Sequence, residues 1–447
     1  MKRVLIANRG EIALRAARAC RKAGLESVAV HSQADGASPH IWAADHAVAI
    51  GPPSPSASYL RSDVLIEVAR ATGCDAVYPG YGFLSERASF ANACREAGLI
   101  FIGPSAEVIA TMGDKAAARR TAEALGVPVV PGSREGFVSA EAALPEAERI
   151  GYPLLLKASA GGGGRGMRVV RDPSEFEAQF MQAYSEALSA FGNGEIYLER
   201  FFERVRHIEI QVFGDRHGNY RHLWERDCSV QRRHQKLVEE APSPVLPDAQ
   251  RRAMTQAALA IVESIGYENA GTIEFIFDIE SGQFFFIEMN TRIQVEHPVT
   301  ELITGLDLVV EQLRVAAGHP VSFEQMRGAP ERAAIEWRVC AEDPDRGFMP
   351  GPGTIRRWRP PGTAQTRVDT HVYPGYTVPA HYDSMIAKML VHGRDRAEVI
   401  ERSDDALADF EVSGIPTTLA FHRKLVRHPA FRDAAIHTKW LDELGAL

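Results

Sequence analysis

The 447-residue chain has little of what marks a membrane, secreted or nucleic-acid-binding protein. No apolar run approaches the ~18 residues that a membrane-spanning helix needs, so no membrane partner is expected. The five cysteines, Cys20, Cys74, Cys94, Cys228 and Cys340, are scattered without a Cys-x-x-Cys pair, which argues against a disulfide framework or a zinc ribbon. They read as reduced core fillers. Basic charge is in deficit: 50 Lys and Arg against 58 Asp and Glu leave a net charge of −8, and no general nucleic-acid affinity follows from such a balance. A local basic site stays compatible with it. There is no internal repeat and no low-complexity tract. The apolar run near the start, Val4 to Ala7, breaks at Asn8 and Arg9, too soon for a secretory signal. It reads as a first strand, and the chain as cytoplasmic.

What is present is ordinary for a globular enzyme: 45% hydrophobic and 24% charged residues, with a length that allows about three domains at ~150 residues each. The first hundred residues alternate short β-rich runs (Val4 to Ala7, Val28 to Val30, Ala76 to Tyr78) with helical stretches (Ile12 to Ala23, Val64 to Ala71). That is a βαβ pattern and predicts a parallel sheet. Its first turn, Asn8-Arg9-Gly10-Glu11, carries one glycine where a dinucleotide-binding turn wants three, so nicotinamide chemistry has little support. Turn-formers from Gly126 to Gly136 predict a linker into a smaller lobe with strands over 154–158, 167–170 and 196–199 and a helix over about 174–190. Further strands are predicted over 208–213 and 220–224, and a long helix over 248–265. A Pro- and Gly-rich stretch from about 335 to 379 precedes a last strand and a helix over about 395–410.

Three constellations carry chemistry. In the run from Lys157 to Met167, a lysine on a strand precedes four consecutive glycines, Gly161 to Gly164. Glycine lets backbone N–H groups approach phosphate oxygens, yet each costs roughly 0.5–1 kcal/mol against alanine in ordered structure. Met167 and a strand follow rather than Lys-Ser and a helix, so this is a strand-loop-strand lid over a nucleotide and not a P-loop; a plain mobile hairpin is the alternative. The second constellation is a hairpin, Gly271 to Phe277 and Phe284 to Asn290, turning near Ser281. A register symmetric about Ser281 sets Glu274 opposite Glu288, with Cβ atoms about 5 Å apart, and puts Asn290 on the same face. Facing carboxylates repel unless a cation lies between them, and two Glu with one Asn suit Mg²⁺; a bulge that exposes one Glu is the alternative. The third is Arg292 to Pro298, where Arg292 offers bidentate binding to a small oxyanion and Glu296 a proton acceptor beside it. Upstream, Arg226 to Lys236 is a polar and cationic run, too poor in apolar residues for a buried strand, and a solvated loop is the plain alternative.

Together with Ile6 to Ala13, Pro79 to Glu86, Met112 to Lys115, Arg338 with Ala341 to Pro344, and Tyr382 to Met385, these runs make the whole chain resemble the biotin carboxylases of biotin-dependent carboxylases, a branch of the ATP-grasp superfamily. The resemblance implies an α/β (α+β) ATP-grasp fold: a Rossmann-like parallel-sheet domain over 1–113, an ATP-grasp domain over 114–330 with a mobile Gly-rich lid lobe at about 131–203, and a mixed C-terminal domain over 331–447. It implies ATP contacts from Lys115, Lys157, Gly163, Gly164, Glu199, Arg200, Phe201, Phe202, His207, Gln231, His234, Glu274 and Glu288. Mg²⁺ or Mn²⁺ would sit on Glu274, Glu288 and Asn290, and bicarbonate on Lys236, Arg292, Gln294 and Val295. Glu296 would be the general base, and Arg338, with Tyr81 nearby, would face biotin; Arg292, Glu296, Lys236 and Arg338 are the expected catalytic group.

The implied reaction is ATP-dependent carboxylation of biotin through carboxyphosphate, the first half-reaction of an acyl-CoA carboxylase such as the acetyl-CoA enzyme of fatty acid biosynthesis. The carrier signature Ala-Met-Lys-Met is missing. Its nearest lookalike, Ala387-Lys388-Met389, lies in an apolar run, so Lys388 reads as structural and biotin is expected on a separate biotin carboxyl carrier protein, with the carboxyltransferase also a separate chain and the protein itself a homodimer. The final acceptor, whether acetyl-CoA, propionyl-CoA, methylcrotonyl-CoA, pyruvate or urea, is not written in these motifs. An ATP-grasp ligase of the carbamoyl-phosphate type is the competing enzyme reading, which would have no use for Arg338 beside the Arg292 to Glu296 run.

Overall fold

The computed structural model describes residues 1–158, 167–191 and 193–445. The first strands, β1 (Arg3–Ile6), β2 (Glu26–His31), β3 (His46–Ala49), β4 (Ala76–Tyr78) and β5 (Ile100–Phe101), form an all-parallel sheet in the order β3-β2-β1-β4-β5. Val4, Leu5 and Ile6 are fully buried in sequence because helices cover both faces of such a sheet. Helix α1 (Gly10–Lys22) lays Ile12, Ala13, Ala16 and Ala17 on it. The same cluster takes in Leu308, Val309 and Leu313, and so ties this sheet to the rest of the chain.

The smaller lobe is the antiparallel sheet β6 (Leu154–Ala158), β7 (Met167–Val170) and β8 (Ile196–Arg200), in the order β7-β6-β8, backed by α2 (Phe176–Phe191). Phe176, Phe180 and Ala183 of α2 meet Leu154, Leu156 and Ile196 in its core.

The largest element is an eight-stranded sheet. It comprises β9 (Val205–Gly214), β10 (Tyr220–Arg232), β11 (Gln235–Ala241), β12 (Asn269–Asp278), β13 (Phe284–Asn290), β14 (Ala333–Cys340), β15 (Thr366–Thr370) and β16 (Met385–Gly393), in the order β13-β12-β9-β10-β11-β14-β16-β15. Every pairing in it is antiparallel. It runs without interruption past residue 330, so the stretches expected as two domains, 114–330 and 331–447, share one set of ladder hydrogen bonds. Alternation along each strand sorts its two faces. Ile208, Ile210 and Val212 of β9 and Ile273, Phe275 and Phe277 of β12 point to α3 (Asp248–Ser264), where Met254, Ala258 and Ile261 meet them. The intervening residues, including His207, Glu209, Gln211, Thr272 and Glu274, point the other way.

One expectation is overturned here. Arg226 to Lys236 is not a solvated loop: β10 runs to Arg232, and Leu223 through Gln231 are all buried. The polar side chains are tolerated because they are paired. Arg226, with no exposed surface, donates to Glu209, Gln211, Thr300, Thr272 and Gln294, and Asp227 accepts from Arg206, Ser229 and Ser243. A count of apolar residues misses a strand whose burial rests on hydrogen bonds.

Candidate active site

The polar face of the central sheet is the floor of a cavity of about 1450 Å³. Direct cross-strand partners line up over four strands as Arg226, Glu209, Glu274 and Glu288, from β10 through β9 and β12 to β13. Three carboxylates in one row repel unless cations are supplied. Lys236 supplies one, with Nζ at 2.7 Å from Glu209, 3.2 Å from Glu274 and 2.5 Å from Glu296. His207 Nε2 lies 3.0 Å from the other oxygen of Glu274, and Lys115, at the start of the helix capped by Asp114, lies 3.2 Å from Glu288.

The opposition of Glu274 and Glu288 is as the hairpin arithmetic requires, and Asn290 opposes Thr272 in the same register. Towards the turn the symmetry about Ser281 fails: the register slips by one between Glu274 and Phe275, so that Phe275 opposes Phe286 and Ile287 is bulged out. The cause is an outside partner. Phe286 N–H donates to the carbonyl of Pro128, and Val129 bridges to the same residue, which claims the hydrogen bonds that a regular hairpin would use.

The turn between β10 and β11 is tight. Arg232 pairs with Gln235, and the two residues between them, Arg233 and His234, both have positive φ (48° and 65°), the backbone of a two-residue type I′ turn. Neither is glycine, a costly choice seen most where a side chain must be presented, and His234 faces the cavity. Lys236 follows on β11.

Glu296 is the residue that opens the helix α4 (His297–Thr304), and it sits between two cations, Lys236 and Arg338, the latter at 3.0 Å from its second oxygen. Burial alone would raise its pKa, but the charges of Lys236, Arg338 and Arg226 outweigh that and hold it below the usual carboxylate range. Glu274 is likewise held well down: burial opposes, and His207 and Lys236 prevail. Arg338 is shared with a second carboxylate, Glu239, at 2.6 Å from its Nε. Arg292 is positioned by Glu86 (2.8 Å) and Asn290 Oδ1 (2.9 Å). Gln294 donates to Glu274 at 2.9 Å and accepts from Arg226, and the Val295 carbonyl accepts from the buried Lys388 at 2.9 Å.

At the far end, Lys157 on β6 pairs with Glu199 on β8. Arg200, Phe201 and Phe202 line the wall beside them. The cavity thus brings together all but three of the side chains singled out from sequence. Gly163 and Gly164 lie outside the described residues. Tyr81 is set one step behind: its hydroxyl donates to Glu11, which pairs with Lys388 at 3.0 Å. Its turn is fixed by Asn8, which donates to the carbonyls of Pro79 and Tyr81, and by Gly80, at φ 61°, where a Cβ would come within 3.0 Å of Ile12.

Three stretches match known domain families in the same order: biotin carboxylase, N-terminal domain, over residues 1–109; carbamoyl-phosphate synthase L chain, ATP binding domain, over 114–323; and biotin carboxylase C-terminal domain over 336–443. A biotin carboxylase of Nostoc is 51% identical over 444 residues, 99% of either chain. The chain belongs to the biotin carboxylase family. Members of this family are ligases, and the relatives serve different enzymes: a pyruvate carboxylase subunit from Methanothermobacter thermautotrophicus is 49% identical over 99% of this chain and 89% of its own. Among solved structures, the biotin carboxylase domain dimer of the Hydrogenobacter thermophilus 2-oxoglutarate carboxylase, in complex with MgADP, ADP and bicarbonate, has a TM-score of 0.89 at 45% identity, covering 99% of this chain and 97% of that one.

Sequence reasoning overlooked part of what surrounds this cavity. Thr438, Lys439 and Asp442 close the Phe201 end, with Lys439 Nζ 3.7 Å from the ring centre of Phe201, and no motif surrounds them. Glu209 and Glu239, both fully buried, anchor Lys236 and Arg338. Each lies on a strand next to charged partners, and a face-by-face reading of β9 and β11 is the signal that finds them.

Proposed function

We propose that this chain carboxylates biotin held on a separate biotin carboxyl carrier protein, using ATP and bicarbonate, and that it supplies the first half-reaction of an acyl-CoA carboxylase such as the acetyl-CoA enzyme of fatty acid biosynthesis. The observation that carries the reading is Glu296 between Lys236 and Arg338, in the same cavity as Lys115, Lys157 and the Glu274/Glu288 pair. Lys236 and Arg292 hold bicarbonate, Glu296 takes its proton, and the freed oxygen attacks the γ-phosphorus of ATP, breaking the bond to the β-phosphate oxygen and releasing ADP. Carboxyphosphate then splits at its C–O bond to CO₂ and phosphate. The phosphate oxygen takes the N1′ proton of biotin, and N1′ bonds to CO₂. Arg338 faces the ureido oxygen, where negative charge develops, while positioning by the other side chains supplies much of the remaining rate.

The donor set of Glu274, Glu288 and Asn290 fits Mg²⁺: opposed carboxylates and an amide are hard oxygen ligands, and the cations that now satisfy them, Lys115, Lys236 and His207, stand where positive charge is needed. When bound, the ion would neutralise phosphate charge; Mn²⁺ suits the same ligands.

Homodimerisation is proposed from the dimer named for the Hydrogenobacter relative. Among the described residues no helix is long and apolar enough to cross a membrane. The deciding assay incubates the purified chain with Mg·ATP, labelled bicarbonate and free biotin; label in biotin with biotin-dependent ADP release is expected. ATP hydrolysis indifferent to biotin, with no label transferred, sinks the proposal. Co-purification of an acetyl-CoA carboxyltransferase tests the acceptor, and a pyruvate or 2-oxoglutarate partner in its place overturns that part alone.

A further inference from the structure

Arg338 does not hang free in the cavity. It is held on one side by Glu296 at 3.0 Å and on the other by Glu239, whose Oε1 accepts from Nε at 2.6 Å and lies 2.5 Å from Nη2. The second oxygen of Glu239 is buried and has no hydrogen-bond partner. Directly across the ladder from Glu239, on β14, is Glu336, also without exposed surface, and neither of its oxygens has a partner. Cross-strand partners have Cβ atoms about 5 Å apart. Three buried carboxylate oxygens without partners, on two directly opposed residues, cannot all be anionic acceptors. A proton on Glu336 resolves the conflict, because it turns one of those acceptors into a donor for the residue across the ladder, Glu239.

We propose that Glu239 and Glu336 form one hydrogen-bonded acid pair that positions Arg338 for biotin, Glu239 by sharing the guanidinium with Glu296 and Glu336 by fixing the orientation of Glu239. Both act through Arg338, so they are positioning residues. The inference rests on the reading that Arg338 serves the biotin half of the reaction. Its chemical content is a competition: two carboxylates share one guanidinium, and whichever loses its charge yields Arg338 to the other.

The direction of the competition follows from the surroundings. Glu239 faces Lys236 on its own strand, Arg338 and Glu336 on β14, Glu296 at the start of α4 and Cys228 on β10. Burial is the largest influence and pushes its pKa up, to about 7, against the pull of Arg338, with Glu296 adding repulsion. Burial also keeps Glu336 protonated well above the ordinary range, in spite of Lys388. Below about pH 7 Glu239 therefore takes up a proton and loosens its hold, which leaves Arg338 to Glu296 alone. Above it Glu239 is ionised and Arg338 is held ready. Biotin carboxylation accordingly rises with pH through this region.

The experiment compares two rates in each variant of the full chain with free biotin: labelled bicarbonate transferred to biotin, and bicarbonate-dependent ATP hydrolysis without biotin. Glu239→Gln keeps the shape and removes the charge. It is expected to lower the ratio of the first rate to the second about tenfold, the effect of losing a charge-assisted hydrogen bond that orients a group, and to flatten the pH dependence of biotin carboxylation between about pH 6 and 8. Glu336→Gln can still donate to Glu239 and lowers the ratio by about threefold at most; Glu336→Leu cannot, and approaches the Glu239→Gln loss. An unaltered ratio and pH profile in Glu239→Gln overturns the proposal, as does an equal effect of Gln and Leu at Glu336. Arg338→Ala separates the two levels: if that variant still carboxylates biotin at the parent rate, the underlying reading fails, whereas a dead Arg338→Ala beside an unaffected Glu239→Gln sinks the acid pair alone.

Discussion

Arg226→Met tests the strand that composition failed to reveal. The side chain is fully buried, and its guanidinium makes five hydrogen bonds, to Glu209 at 2.5 Å, Gln211 at 2.7 Å, Thr300 at 2.9 Å, and Thr272 and Gln294 at 3.1 Å. Methionine fills much of the same volume but leaves four neutral acceptors bare, while Glu209 keeps only Lys236. Removing one partner of a buried ion pair costs about 3–5 kcal/mol. Over 447 residues, at ~2.1 cal/mol/K of unfolding entropy each, the entropy of melting is ~0.9 kcal/mol/K, so a loss of ~4 kcal/mol lowers Tm by about 4 °C if the chain melts as one unit. The drop is larger if the central sheet melts by itself. Scanning calorimetry of the parent and of Arg226→Met measures it, and Arg226→Lys should recover little, because one ammonium cannot reach five acceptors. A Tm within about 1 °C of the parent would refute the view that this strand is buried by virtue of its pairings.

Arg338→Ala should reduce biotin carboxylation by about a hundredfold, the scale of removing a donor aimed at developing charge, and reduce bicarbonate-dependent ATP hydrolysis far less; equal loss in both removes Arg338 from the second half-reaction. Lys388→Met should destabilise without touching any biotin attachment, since Lys388 is fully buried, paired with Glu11 and bonded to the Val295 carbonyl; a biotinylated Lys388 in the intact mass of the isolated protein would contradict this. All five cysteines are buried, and burial pushes the thiols of Cys20 and Cys94 up to about 12 and that of Cys228 well above its ordinary value. Iodoacetamide at about pH 7.5 should therefore label none of them until denaturant is added, and rapid labelling of the native protein would show that one is exposed.

The parallel N-terminal sheet, the three-stranded lobe and the Glu274/Glu288 opposition are all legible in sequence, because each depends on local periodicity or on arithmetic within one hairpin. The rest is not, for reasons that can be named. Arg226 to Arg232 reads as a loop because its partners, Glu209, Thr272 and Thr300, are 17 to 74 residues away along the chain, beyond the reach of any window. Glu239 and Glu336 are ordinary glutamates until β11 and β14 are known to be neighbours. Ile287 bulges because of Pro128, which sits in another element altogether.

The uninterrupted eight-stranded sheet acts as a ruler. From β12, which carries Glu274, to β14, which carries Arg338, there are four strand steps, or about 19 Å at the ~4.8 Å spacing of neighbouring strands. No linker lies between those two marks on the sheet, so the backbone separation of the Glu274 and Arg338 strands is set by ladder hydrogen bonds, while Lys236 and Glu296 bring the two side chains into one chain of contacts above it. The separation of those two strands is thus written into the sheet itself, one ladder step at a time.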